Sequence, residues 1–189
     1  MKNRSPLPAF LRTSSQSREE TLSLAAKLAP ALRAGDVILL LAGLGCGKTT
    51  FVQGVASTMR VKEDSLSPTF VLARTLKAKY LIHHLDFYRL KKEEVWGYGL
   101  EDYLTGKGEI PKGIVFIEWA DRCKEIWPKE RLEIHIKMEP KTRFRQFVIK
   151  GTGPRYTSLV HRLKVAIQDK IRHGKSVLWR TRRGGPSPG

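Results

Sequence analysis

The sequence predicts an α/β fold: one domain with a mostly parallel sheet flanked by helices, followed by a basic C-terminal extension. Three observations predict it. "DVILLLA" at 36–42 is a short, wholly apolar run of the kind that is buried on both faces in a parallel sheet. It leads directly into the glycine-rich stretch "GLGCG" and then into a helical segment that opens at Lys48. Two later apolar runs each end in a carboxylate, Asp86 in "YLIHHLDFYRL" and Glu118 in "GIVFIEWADR".

The elements follow in order. Residues 1–16 mix Pro, Ser and basic residues without periodicity and are expected to be disordered. "SREETLSLAAKLAPALRAG" opens with a capping box, Ser17 and Glu20, carries Leu24, Leu28 and Leu32 at helical spacing, and stops at Gly35. After the 36–42 strand and its loop, "KTTFVQGVASTM" reads as helix. "SLSPTF" is a stiffened connection in which Pro68 precedes the Thr69 hydroxyl. The runs ending at Asp86 and Glu118 are read as strands. The domain is expected to span 17–150, leaving 151–189 as an extension whose end, "TRRGGPSPG", is disordered.

Strand, glycine loop and helix together are the setting of a phosphate-binding loop. Loop and helix N-terminal N–H groups converge on an anion there, and glycines let the backbone turn inward. Gly45 and Gly47 are in place, Lys48 can reach β/γ-phosphates, and Thr49, with Thr50 beside it, offers a hydroxyl to Mg²⁺. The spelling G-x-x-x-x-G-K-[ST] is nevertheless broken, because Ala42 stands where the first glycine belongs. A methyl group is tolerated at a strand end if φ stays negative, and Gly43 is expected to supply flexibility behind it. Mg²⁺ needs a further carboxylate from a neighbouring strand end, for which Asp86 and Glu118 are both candidates. Thr69 is placed as a switch hydroxyl able to sense the γ-phosphate.

The 189 residues carry a formal charge of +17, unevenly spread. From Lys141 onward there are thirteen Lys/Arg against one acid, Asp169, which leaves 22 basic and 17 acidic residues before it. Leu159, Leu163, Val165, Ala166, Ile167 and Ile171 form an apolar stripe in this basic segment, so the extension is expected to be an amphipathic helix that holds RNA or an acidic partner. The two cysteines, Cys46 and Cys123, suggest neither disulfide framework nor zinc site. No run approaches the length of a membrane span, and the N-terminus lacks the apolar core of a secretory signal, so a cytoplasmic home without membrane contact is expected. A nucleotide kinase or GTPase would share the loop, but there is no N-K-x-D guanine signature and no evident arginine lid. A purely RNA-binding protein would leave the loop and both acids without a task.

"EETLSLAAKLAPALRAGDVILL", "GLGCGKTTFVQGVA", "SPTF", "HLDFYRL", "GLEDYL" and "IEWADR", in this order, resemble the TsaE (YjeE) family, the bacterial ATPases of tRNA threonylcarbamoyladenosine biosynthesis. The resemblance implies a P-loop domain that binds ATP and Mg²⁺ and works with TsaD and TsaB, the partners that carry out transfer to tRNA. Carried over by position, it implies that Gly43, Gly45, Cys46, Gly47, Lys48, Thr49 and Thr50 form the nucleotide loop and that Thr69 lies in the switch. It implies that Asp86 takes a metal or water-orienting role, with His84, Tyr88 and Arg89 around it, that Glu118 lies close to Mg²⁺ and water, and that the Trp119 indole lies near the nucleotide. Family members usually begin the loop with Gly followed by Asp or Glu. Here Ala42 and Gly43 stand in those places, and Cys46 replaces a common Ala.

Overall fold

A computed structural model describes residues 8–61, 72–90, 94, 99–106 and 110–172. Seven strands form one sheet in the order β1-β7-β6-β2-β5-β4-β3, comprising β1 (Ala9–Ser15), β2 (Val37–Ala42), β3 (Ala73–Lys77), β4 (Leu81–Asp86), β5 (Ile114–Glu118), β6 (Arg131–Met138) and β7 (Arg145–Thr152). The central four, β6-β2-β5-β4, are mutually parallel, and the outer pairings β6–β7, β7–β1 and β4–β3 are antiparallel. The apolar run is β2, and its side chains alternate between two layers. Ile38 and Leu40 join the layer of α1 (Arg18–Leu28), α2 (Lys48–Thr58) and α4 (Pro154–Arg172). Val37 and Leu39 join a smaller layer with Phe87, Ala120, Cys123 and Ile126. A short helix, α3 (Leu100–Thr105), precedes β5.

Helix α1 begins as its sequence requires: the Ser17 hydroxyl accepts from the Glu20 N–H, and Glu20 returns a bond to the Gln16 N–H. It ends at Leu28, short of Gly35, in a 3-10 turn at Ala29–Ala31 that carries Pro30. The helix crosses α2 closely at Gly54. A Cβ there would lie 2.7 Å from that of Ala25 and 2.8 Å from the Leu22 carbonyl, so only glycine fits without displacing α1.

Two boundaries differ from expectation. Residues Ala9–Ser15 are an edge strand in register with Arg145–Gly151, with Leu11 and Ser15 buried and the Ser15 hydroxyl 2.8 Å from that of Thr21. A ladder to a strand far along the same chain supplies backbone partners that local composition does not reveal. Residues 154–172 are no detached extension either. Helix α4 buries Tyr156, Leu159, Val160, Leu163 and Ile167 in the main core. Arg155 grips buried Asp36 through Nε at 2.9 Å and Nη2 at 2.6 Å, and the Tyr156 hydroxyl accepts from the Val37 N–H at 2.7 Å. The apolar stripe expected of this helix is therefore largely internal, although Val165 faces solvent. Residues 173–189 lie outside the described residues.

Candidate functional site

Parallel strands deliver their C-terminal ends to one edge of the sheet, where ligands of open α/β sheets bind. Here that edge gathers Ala42 from β2, Asp86 from β4 and Glu118 from β5, with Asp86 and Glu118 directly paired in register. The loop between β2 and α2 turns over them. Gly45 has φ +72° and Gly47, the N-cap of α2, has φ +105°, a left-handed geometry that L side chains rarely adopt. Ala42 is paired with Ile136 of β6 as the last residue of the strand. Its backbone is extended, and an alanine meets no conflict there. Gly43 is not in the left-handed region, so the flexibility expected of it is not what the loop uses.

Lys48 is buried, and its ammonium donates to the Ala42 carbonyl at 3.0 Å and the Gly43 carbonyl at 2.8 Å. Burial pushes its pKa below the ordinary lysine value, and the negative charge of Glu118 opposes that shift. The Trp119 indole lies over the same ammonium, with Nζ 3.8 Å from the ring centroid. Trp119 itself has φ +57°, which a bulky residue adopts only when its surroundings compel it, and this conformation aims the ring back over the loop. Tyr88 packs on the indole with centroids 5.0 Å apart, and the Arg122 guanidinium approaches both rings.

The acids have distinct roles. Glu118 is buried, and its Oε1 accepts from the Thr49 hydroxyl at 2.7 Å and from His84 Nε2 at 2.8 Å. Asp86 accepts from the Tyr88 N–H at 2.9 Å, which turns the chain after β4. Leu44, Gly45, Gly47, Lys48, Thr49 and Thr50 line one side of a cavity of about 270 Å³, and Asp86, Tyr88, Glu118 and Trp119 line the other.

The family model for threonylcarbamoyl adenosine biosynthesis protein TsaE matches residues 15–147. The chain belongs to the TsaE family. It is 45% identical over 106 residues to the tRNA threonylcarbamoyladenosine biosynthesis protein TsaE of Nostoc sp., covering 56% of this chain and 65% of that one. It is 34% identical over 146 residues to the protein of that name from Bacillus subtilis, covering 77% and 88%. The crystal structure of Bacillus subtilis YdiB superposes with TM-score 0.70 at 28% identity, over 85% of this chain and 98% of that one. The architecture is thus the P-loop α/β fold expected of a TsaE-family chain.

Of the residues singled out by sequence, the structure brings Gly45, Gly47, Lys48, Thr49, Thr50, Asp86, Glu118 and Trp119 to one cavity, with Tyr88. Gly43 takes part through its carbonyl. The Cys46 side chain is buried in the main core, so this residue contributes backbone alone. Thr69 lies outside the described residues. Sequence reasoning missed Arg145, whose Nε donates to the Cys46 carbonyl at 3.0 Å and packs on Gly47 closely enough that a Cβ there would sit 3.2 Å from it. Ninety-nine positions separate Arg145 from Cys46, and no local motif marks it.

The residues present fit a magnesium nucleotide. Among the described residues no group of three His, Cys, Asp or Glu could hold a metal by itself. Mg²⁺ is commonly held through one or two carboxylates together with substrate phosphates and water, and one hydroxyl and two acids stand beside the phosphate loop. Among the described residues no helix is long and apolar enough to cross a membrane.

Proposed function

We propose that the chain binds ATP with Mg²⁺ and hydrolyses it in the cytoplasm, in support of threonylcarbamoyladenosine modification of tRNA by partners of the TsaD and TsaB kind. The observation that carries the ATPase reading is the 2.7 Å bond between Thr49 and Glu118 beside the buried Lys48, at the mouth of the phosphate loop. In this reading Lys48 turns from the Ala42 and Gly43 carbonyls toward the β/γ-phosphates, which compete for its protons as a stronger, charged acceptor. Thr49 and Glu118 hold the cation, and His84 keeps the Glu118 carboxylate in position. When bound, Mg²⁺ would supply positive charge to offset that of the phosphates. Asp86 orients the attacking water, and Thr69 serves as the switch hydroxyl that the family pattern implies. Trp119, displaced from the Lys48 ammonium, stays against the nucleotide.

The test is thermal unfolding and phosphate release with ATP and Mg²⁺. Ligand that binds only the folded chain raises the melting temperature. Lys48→Ala is expected to remove both the shift and turnover, whereas Asp86→Asn keeps the shift and loses turnover. Unchanged turnover in both variants would refute the assignment.

A further inference from the structure

The sheet has two faces, and among the described residues only one is covered along its whole width. On the face opposite α1, α2 and α4, the smaller apolar layer extends over β4, β5 and β2. Beyond Trp127, over which the Arg131 guanidinium lies at 4.9 Å, the described residues place no helix on that side of β6, β7 and β1. The pleat and the register fix what stands there. Phe10, Lys150 and Glu133 form one cross-strand row, Arg12, Val148 and His135 the next, and Ser14, Gln146 and Lys137 the third.

This surface is basic and carries an aromatic ring. Arg12, His135 and Lys137 are exposed, and Phe10 is 60% exposed, a large apolar side chain on a face whose other apolar member, Val148, is half-buried. The acid of the three rows, Glu133, is buried and already engaged. Arg131 lies 2.7 Å from its Oε1, Lys150 3.4 Å from the same oxygen, and His135 3.1 Å from its Oε2. Hydrogen bonding from His135, with Arg131 and Lys150 beside it, holds the Glu133 carboxyl down to about 2 against the opposing effect of burial. The face therefore presents uncancelled positive charge to solvent. At the Met138 end it adjoins a cavity of about 350 Å³ bordered by Lys137, Phe144 and Gln146, with Glu139 on its wall.

We propose that this open face of β1, β7 and β6 binds RNA, with Arg12 and Lys137 on backbone phosphates and Phe10 as a stacking surface for an unpaired base. Two exposed cations in neighbouring rows, with one accessible ring beside them, match a polyanion whose bases also offer π-faces. The inference goes beyond the nucleotide site and does not depend on ATP hydrolysis.

The test uses the full chain, fluorescein-labelled tRNA and an oligouridine, followed by anisotropy between about 50 and 200 mM salt. Arg12→Glu/Lys137→Glu is compared with Arg162→Glu/Lys164→Glu, the same change of charge placed on exposed positions of α4 across the sheet. The first is expected to weaken tRNA binding roughly tenfold or more and to lower the salt slope by about two, while the second changes affinity less than about threefold. Phe10→Ala is expected to weaken oligouridine binding about fivefold with the slope unchanged. Equal losses in the two charge-reversed proteins would mean attraction by net charge alone and overturn the proposal. Unchanged tRNA affinity would do so too, including the case in which the first variant loses only poly-glutamate, the sign of an acidic protein partner. The ATP-dependent thermal shift is measured on every variant, so failure of the RNA face and failure of the nucleotide site are read separately.

Discussion

Truncation after Lys150 separates a terminal extension from a structural helix. Removing α4 uncovers the layer that Tyr156, Leu159, Val160, Leu163 and Ile167 fill. At about 1.5–3 kcal/mol for each buried side chain of this size, the loss is about 7–15 kcal/mol, comparable to the whole stability of an ordinary domain. Two polar losses add to it. Asp36, buried and gripped by Arg155 at 2.6 and 2.9 Å, would keep a charge without its partner, and the Val37 N–H would lose the Tyr156 oxygen. The truncated chain is therefore expected to give no cooperative thermal transition and to bind a hydrophobic dye at room temperature. A second truncation, after Arg172, keeps α4 and controls for the altered C-terminus. The measurements are calorimetry and circular dichroism. A chain ending at Lys150 that melts cooperatively within a few degrees of the full protein would refute the reasoning.

Three other outcomes follow from single contacts. Tyr156→Phe keeps the ring but removes the acceptor of the Val37 N–H, and is expected to cost about 1–3 kcal/mol in denaturant unfolding. Trp119→Phe is expected to remove most of the fluorescence change on adding ATP, because the indole covers the Lys48 ammonium; a change persisting through Trp96, Trp127 or Trp179 would contradict that placement. Glu133 is held at about 2 in the folded chain, below its ordinary 4.5, so its contribution to stability is complete above about 4.5 and is lost as pH falls toward 2. In Glu133→Gln that part of the acid dependence should vanish from a melting-temperature profile.

The nucleotide loop was legible because its signals are local. An apolar run, two glycines and Gly-Lys-Thr lie within thirteen residues, and each acts through its own backbone or side chain. Asp86 and Glu118 were legible as strand ends, but not that they would pair in register or that Glu118 would take Thr49 and His84 on one oxygen. Strand β1 was missed because "AFLRTSS" has little strand character of its own; its partner stands more than a hundred residues away in β7. The C-terminal segment was divided wrongly for a related reason. Basic residues and an apolar stripe share α4, and neither charge nor spacing says which neighbour the stripe meets. A helix can satisfy both, with Leu159, Leu163 and Ile167 turned inward and Arg162 and Lys164 left in water.

The broken spelling at Ala42 shows which parts of such a loop are fixed by physics. Gly45 and Gly47 occupy left-handed φ, which strains any L side chain, and at Gly47 a Cβ would also press on Arg145 at 3.2 Å. Position 42 is a paired strand residue in extended backbone, where no left-handed φ calls for glycine. Position 43 contributes a carbonyl to Lys48, and every residue has one. Glycine at 43 supplies that carbonyl without bringing a side chain of its own. The partners of Lys48, two carbonyls, the indole face and the more distant Glu118, hold a buried ammonium whose pKa desolvation has already lowered. A cation so weakly neutralised gains more from an arriving phosphate than one already paired with a carboxylate, because no ion pair has to be broken first.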